Sequence, residues 1–179
     1  MPSPFATAGK LFRRFRRNRQ GSAMVEFALV APVFIALLFA IIEVALVFYA
    51  SQVLETVTQD TARQIFTGQA QLANMQPADF KSSLCSRVVA LFDCMGGIRF
   101  DVQSYSSFAA LNISDPIDPA TKNFVPPNNF SMGGPGDIVV VRVFYQWPLL
   151  VTGMGFNLSN LAGSKRLLTA TAAFQNEPF

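Results

Sequence analysis

A single carboxylate, Glu26, lies where a charged group is hard to accommodate. It follows Gly21 and a basic stretch, and it stands at the start of an apolar stretch that continues to Tyr49. An unpaired charge in hydrocarbon costs about 2.5–3.5 kcal/mol even on the gentler insertion scales. Glu26 therefore needs a specific reason, and it is the first residue of this chain to consider as functional.

The residue types that most enzymes need are scarce. The sequence contains no histidine, so neither a Ser–His–Asp nor a Cys–His arrangement is possible. The glycine-rich run at residues 132–136 lacks the lysine of a P-loop. Asp115 and Asp118 are close enough in sequence to share a metal, but in a proline-rich loop solvated turn residues are the favoured interpretation. The sequence therefore indicates a protein that is not an enzyme and needs no cofactor.

Charge is distributed unevenly along the chain. Residues 1–20 carry six basic and no acidic residues, whereas the remainder carries more acidic than basic ones. A basic N-terminus can bind nucleic acid. Beside an apolar span it far more often marks the end that stays in the cytoplasm, so we expect no nucleic-acid partner.

The apolar stretch Val25–Tyr49 is long enough to cross a membrane. As a helix it would extend about 37 Å, against a hydrocarbon core of ~30 Å. A cleavable secretory signal has a shorter apolar region and ends in small residues, whereas Phe48 and Tyr49 end this stretch. We therefore expect a single-pass membrane anchor, with the residues that follow it outside the cytoplasm.

Two residues interrupt this span. Pro32 cannot donate a backbone hydrogen bond to the carbonyl of Ala28, which favours a bend, although membrane helices tolerate proline. Glu43 is compatible with three environments: buried and neutral, facing a partner helix, or reaching the water. The sequence leaves these alternatives open.

A basic leader, Gly21, Glu26 and an apolar span, in that order, resemble the processing site of prepilins. The cysteine pair, the Gly136–Asp137 entry to a hydrophobic strand and the terminal residues 176–179 extend the resemblance to the TadE-like pseudopilins of the Tad (Flp) pilus system. The resemblance implies a minor pilin that acts in pilus assembly, adhesion or secretion. Its implied partners are a prepilin peptidase, other pilins or pseudopilins and the inner-membrane assembly platform.

The resemblance also implies roles for individual residues. The peptidase would cut after Gly21, where a glycine lets the backbone approach the protease, and Ser22 would become the N-terminus. Glu26 and Phe27 would be the fifth and sixth residues of the mature chain, and Glu26 would pair with the terminal ammonium of a neighbouring subunit. Two charges that are costly alone in an apolar bundle are tolerated when they are paired.

The remaining pattern predicts an α+β fold. Apolar residues at three- and four-residue steps predict a helix from Ser22 to about Thr67, and Gly68 is predicted to end it. A second helix is predicted from Pro77 to about Phe92. Three strands are predicted, at Ile98–Tyr105, Ile138–Trp147 and Leu167–Phe174. We expect a long N-terminal helix, half transmembrane and half amphipathic, packed on a small antiparallel sheet and a second helix, as in pilin-like proteins.

Two details of this domain follow from local patterns. Residues 98–103 alternate between apolar and polar, which is typical of a half-buried strand with Asp101 on its polar side. Residues 112–136 contain five prolines and are predicted to form a long loop. Phe124 and Phe130 within it are candidates for an exposed contact surface.

Cys85 and Cys94 are the only cysteines. In an exported domain of this size two cysteines form a disulfide more often than they stay free. Zinc sites normally need four ligands, so we expect no metal site here. The loop between the cysteines is short, which places the expected stabilisation toward the low side of ~2–4 kcal/mol.

These inferences divide the chain into three parts: a basic cytoplasmic leader at 1–21, a transmembrane helix at 22–50 and an extracytoplasmic α+β domain at 51–179. An alternative is an uncleaved, membrane-anchored envelope protein whose periplasmic domain binds a ligand or partner. The two hypotheses predict different mature N-termini, Ser22 for the pilin-like protein and Met1 for the anchored one.

Overall fold

The computed structural model describes residues 21–88, 92–151 and 157–179. Within these ranges a long helix comes first and short helices and strands follow. The helices are α1 (Ser22–Phe66), α2 (Gln69–Leu72), α3 (Pro77–Cys85) and α4 (Cys94–Gly97). The strands are β1 (Arg99–Tyr105), β2 (Ile138–Pro148) and β3 (Lys165–Gln175), with a 3₁₀ turn at Phe108–Ala110. The predicted α+β class and all three predicted strands are confirmed.

The chain divides into two compact units between Ile42 and Glu43. We refer to residues 21–42 as the apolar segment and to residues 43–179 as the body. The apolar segment is helical from Ser22 onward, and α1 continues through Pro32. Its side chains are exposed apart from three half-buried alanines. Of the predicted basic leader at 1–21, residues 1–20 lie outside the described residues.

The part of α1 that belongs to the body buries one stripe of side chains. Along this stripe buried residues recur every three or four positions, as expected for an amphipathic helix: Val47, Ala50, Leu54, Val57, Thr58, Thr61, Ala62 and Ile65. They share a core with Phe80 and Leu84 of α3 and with the apolar side chains of the sheet. This face agrees with the amphipathic outer half predicted from the sequence.

Strand β2 is the centre of an antiparallel sheet with the order β1-β2-β3. Val102 of β1 and Ala172 of β3 both pair with Val141 of β2. The residues of β2 are buried from Ile138 through Tyr145 without alternation, so both faces of the central strand are covered. Apart from Arg142 this buried run is apolar, as expected of a strand that is covered on both faces.

Gly68 ends α1, as predicted. Its φ of +76° lies in the left-handed region, where a residue with a Cβ is strained. Its amide donates to the carbonyl of Ile65 at 3.0 Å. The ring of Phe179 lies over the glycine, where an added Cβ would come within 2.3 Å of the ring. The end of α1 is therefore also the place where Phe179 packs.

The prediction of a helix from Pro77 to Phe92 is wrong beyond Cys85. Helix α3 ends at Cys85, and a separate short helix begins at Cys94; residues 89–91 lie outside the described residues. The reason is geometric, because a helix that continued from Cys85 to Phe92 would carry the chain about 10.5 Å away from Cys85. The Cα atoms of Cys85 and Cys94 are 5.6 Å apart and joined through a disulfide, which favours a chain that turns soon after Cys85.

Two further predictions about surfaces need correction. Asp101 is buried, with 1% of its surface exposed, because the loop between β1 and β2 covers that face of the strand. Phe124 and Phe130 do not form an exposed contact surface. Phe130 packs against Phe80 at 5.6 Å between ring centroids, and Phe124 packs against Phe144 at 5.5 Å. Residues 112–136 are otherwise irregular, as predicted for a long loop.

Candidate functional site

The predicted cleavage site lies at the start of α1. The helix begins at Ser22, directly after Gly21. Within 4 Å of the position that a Cβ on Gly21 would take there are no atoms of the described residues outside its immediate neighbours. A site that another protein must reach needs this kind of access.

Glu26 lies one helical turn after Ser22, and the two side chains are in contact. The Ser22 hydroxyl donates to Glu26 Oε1 at 2.8 Å, across the four-residue step that brings helix side chains together. Glu26 and Phe27 are both exposed, Phe27 to 72%. The carboxylate thus has one weak local partner, and the rest of its surface is open to a group outside the described residues.

Glu43, the second carboxylate of the apolar stretch, has a very different environment. It is 6% exposed and accepts hydrogen bonds from the backbone N–H groups of Leu150 and Val151. The Val151 amide reaches both carboxylate oxygens, at 3.0 and 3.1 Å. Glu43 is therefore buried, and its observed partners lie in the same chain and not on another helix.

A buried ion pair between β1 and β2 was not predicted from the sequence. Arg142 donates to Asp101 Oδ2 through Nη2 at 2.6 Å and through Nε at 3.1 Å. The two residues are direct cross-strand partners, with 5% and 1% of their side chains exposed. An ion pair this deep is stable only when its remaining polar atoms are also bonded.

The long loop supplies those bonds. Asn129 donates to Asp101 Oδ1 at 2.9 Å, and the carbonyl of Ser114 accepts from Arg142 Nη1 at 2.8 Å. The guanidinium also lies 5.4 Å from the ring centroid of Phe144, a cation–π distance. The ion pair therefore fixes both ends of the loop segment 114–129 on the sheet, which is a structural role.

The remaining polar candidates are committed to local structure. Asp118 accepts from the backbone amides of Thr121 and Ala120, and these bonds hold the pKa of its carboxyl below the usual value. Asp115 accepts from the amide of Ile117 at 3.0 Å. Both carboxylates thus act as turn residues, as the sequence favoured. The predicted disulfide between Cys85 and Cys94 is present.

Two open clefts border the start of β1, with volumes of about 320 and 450 Å³. Arg99 lines both, Lys81 lines the larger one and Lys165 lines the smaller one. Lys81 and Arg99 are already used by the fold. Lys81 Nζ donates to the carbonyl of Met95 at 2.7 Å, and Arg99 Nη1 donates to the carbonyls of Gly96 and Ile98. The clefts therefore give weaker support to a binding function than the start of α1 does.

The first half of α1 has the composition of a membrane span. Its most apolar window of 18 residues has a mean hydropathy of 2.7, and only 17% of that window is buried. Because apolar side chains gain nothing from such exposure in water, an N-terminal helix of this kind indicates membrane anchoring.

Comparison with known proteins adds one finding. Among curated proteins and among solved structures no match was found. A family model does match, and its description is TadE-like protein. The match covers residues 21–63, so it begins at Gly21, contains Ser22, Glu26 and Glu43, and ends within α1. The resemblance recognised in the sequence is confirmed over these residues, where the chain is similar to TadE-like proteins.

Proposed function

We propose that this chain is a minor pilin or pseudopilin of a Tad-type pilus that is matured by cleavage after Gly21. A prepilin peptidase hydrolyses the peptide bond between Gly21 and Ser22, and Ser22 becomes the new N-terminus. The protein is held in the inner membrane with residues 1–21 in the cytoplasm before cleavage and the body in the periplasm. It has no catalytic activity of its own and acts with other pilins and the assembly platform. Its contribution to adhesion or secretion is made through the pilus.

The observation that carries this proposal is the contrast in pairing between Glu26 and Glu43. The body satisfies Glu43 through two backbone amides. Glu26 has the Ser22 hydroxyl and otherwise faces outward. A carboxylate in the first turn of a helix in lipid is tolerated when a cation lies beside it. The terminal ammonium of a neighbouring, cleaved subunit is such a cation.

The start of α1 supports cleavage at this point. Gly21 directly precedes α1, and no atom of the described residues outside its immediate neighbours lies within 4 Å of the position that a Cβ on it would take. A glycine allows the extended backbone that a protease needs, without a side chain in the way. Cleavage would also leave a free ammonium at the helix N-terminus, where the helix dipole disfavours positive charge. Glu26, one turn away, offsets that cost, so cleavage and the carboxylate are chemically linked.

The test is the N-terminal sequence and intact mass of the protein purified from its native membrane, for the wild type and for Gly21→Ala. A chain that begins at Ser22, with processing lost in the variant, supports the proposal. Gly134→Ala is a matched control, because an added Cβ there has its nearest neighbour at 3.8 Å and lies far from the site in sequence.

A wild-type chain that keeps residues 1–21 while the peptidase is active contradicts the proposal. That result leaves the uncleaved, membrane-anchored binding protein as the better account. Loss of processing in both glycine variants would indicate damage to the fold, and the circular dichroism spectrum of each variant separates this case.

A further inference from the structure

The most exposed large apolar residue of the described chain is Leu150, in the turn that follows β2. Its side chain is 89% exposed. Single exposed leucines are common on protein surfaces and need no explanation alone. Leu150 differs because its backbone is fixed from two sides, so its exposure is built into the fold.

Glu43 provides the first of these fixed points. Its carboxylate accepts from the amides of Leu150 and Val151, and Glu43 itself is buried. The second is the preceding residue, Leu149, whose amide donates to the carbonyl of Ser164 at 3.0 Å. The peptide of Leu150 is thus held one hydrogen bond away from a residue of α1.

Glu43 is also the residue at which the apolar segment ends. Residues 24–42 contain no charged residue except Glu26. As a helix these residues extend about 28 Å, close to the ~30 Å of a hydrocarbon core. Because Glu43 follows Ile42 directly in the chain, it lies near the boundary between hydrocarbon and headgroups when the segment spans a bilayer.

Two aromatic residues mark the same level. Phe48 and Tyr49 on α1 are 67% and 51% exposed, although their neighbours Val47 and Ala50 are in the core of the body. Tyrosine side chains are enriched at the membrane–water interface, where an amphipathic ring is stable, and the apolar ring of Phe48 is compatible with the hydrocarbon side of that interface. The interface therefore extends over the turn or two of α1 that follows Glu43.

We infer that the turn at Leu149–Val151 contacts the lipid surface, with the side chain of Leu150 inserted among the outer acyl carbons. The partner is the bilayer that holds α1. Glu43 keeps the turn at this level by linking it to the helix. The body thereby gains a second attachment to the membrane, besides the helix itself. The inference rests on membrane anchoring and is independent of cleavage after Gly21.

The test compares two exposed leucines of the body in the full-length protein, reconstituted in phospholipid vesicles. Leu150→Cys places a thiol in the turn, and Leu72→Cys is the matched control. Leu72 is 74% exposed on α2, which follows the outer end of α1. Both native cysteines are joined in a disulfide, so under non-reducing conditions a fluorescent maleimide labels the introduced thiol.

We expect brominated lipids to quench the label at position 150 at least threefold more strongly than the label at position 72. Iodide in the water should show the opposite order. If brominated lipids quench the two labels equally, the inference is overturned, whether the quenching is strong or weak. Because both leucines are highly exposed, neither change disturbs the core, and flotation with the vesicles verifies that each variant is anchored.

The outcome does not depend on the processing of the chain. An uncleaved protein that shows strong lipid quenching at position 150 supports the inference while contradicting the proposed function. A chain that begins at Ser22 without lipid quenching at position 150 does the reverse.

Discussion

The apolar segment and the body differ in the burial and hydrogen bonding of their charged residues. In the body, Glu43, Asp101 and Arg142 are buried, and each is bonded to groups of the same chain. In the apolar segment, Glu26 has a single hydroxyl beside it and is exposed. These three buried residues of the body are therefore bonded within one chain, whereas the segment leaves Glu26 exposed, and we propose that lipid and another molecule complete it.

The same contrast holds for apolar side chains. Leu54 and Ile65, in the body's part of α1, are 1% and 0% exposed, whereas Phe27 and Leu37 in the segment are 72% and 60% exposed. Full burial of such a side chain stabilises a fold by about 1.5–3 kcal/mol. The two halves of α1 thus differ in what covers them and not in their helical conformation.

The largest effect on stability is expected where a charge of the body loses its partner. Arg142→Ala should lower the free energy of unfolding by about 3–5 kcal/mol, because it leaves the carboxylate of Asp101 buried and unpaired. The measurement is urea unfolding of the full-length protein in mild detergent, followed by tryptophan fluorescence. Arg87→Ala, at an exposed position, is the control.

A second variant separates charge from packing in this pair. Asp101→Leu with Arg142→Met replaces both charges, and we expect it to recover a large part of the lost stability. A loss below about 1 kcal/mol in Arg142→Ala would contradict the view that the body depends on this pair.

The next effect concerns Glu43. Glu43→Ala should lower the free energy of unfolding by roughly 2–3 kcal/mol, because the amides of Leu150 and Val151 lose their carboxyl acceptor. Hydrogen exchange at these two amides should accelerate in the variant. Glu55→Ala is a control on the same helix, where the partner is one glutamine side chain at 3.2 Å. Unchanged exchange at Leu150 and Val151 would show that Glu43 does not hold the turn.

These two sites also show where sequence reasoning stops. The helix and the strands follow from residues that are close in sequence, so periodicity predicts them. The environment of Glu43 depends on Leu150, 107 residues later, and that of Asp101 depends on Asn129, 28 residues later. Burial of a polar residue by a distant loop leaves no local pattern.

One error was avoidable from the sequence. A disulfide between Cys85 and Cys94 leaves little room for a helix that continues to Phe92, because seven further residues of helix carry the chain about 10.5 Å away from Cys85. The predicted pairing therefore already favoured an earlier end of α3. The start of α1 is the opposite case: the order of leader, Gly21 and Glu26 identified it, since every part of that motif lies within a few residues.

The disulfide should contribute less than the two charge sites. Replacing both cysteines, Cys85→Ser with Cys94→Ser, should lower the free energy of unfolding by about 2 kcal/mol, because the closed loop is short. A reductant should destabilise the wild type by a similar amount and leave the double variant unchanged. If reduction affects both proteins equally, the effect of the reductant is not due to this bond.

The smallest effect on stability is expected at Glu26, and there it is the most informative. Glu26→Gln should change the free energy of unfolding by less than about 0.5 kcal/mol, because its contact with Ser22 is an exposed pair on a helix. Urea unfolding in the same detergent provides the measurement, with Glu55→Gln as the control.

Association in the membrane should respond very differently to the same change. If Glu26 pairs with the ammonium of a neighbouring subunit in lipid, removing one partner costs roughly 3–5 kcal/mol, which is a loss of more than 100-fold in association. Crosslinking to the neighbouring pilins in native membranes, after the N-terminus is shown to be Ser22, measures it. A variant that is as stable and as well crosslinked as the wild type would mean that Glu26 needs no external partner. A variant with normal stability and lost crosslinking would mean that the carboxylate left open by its own chain is the one used between chains.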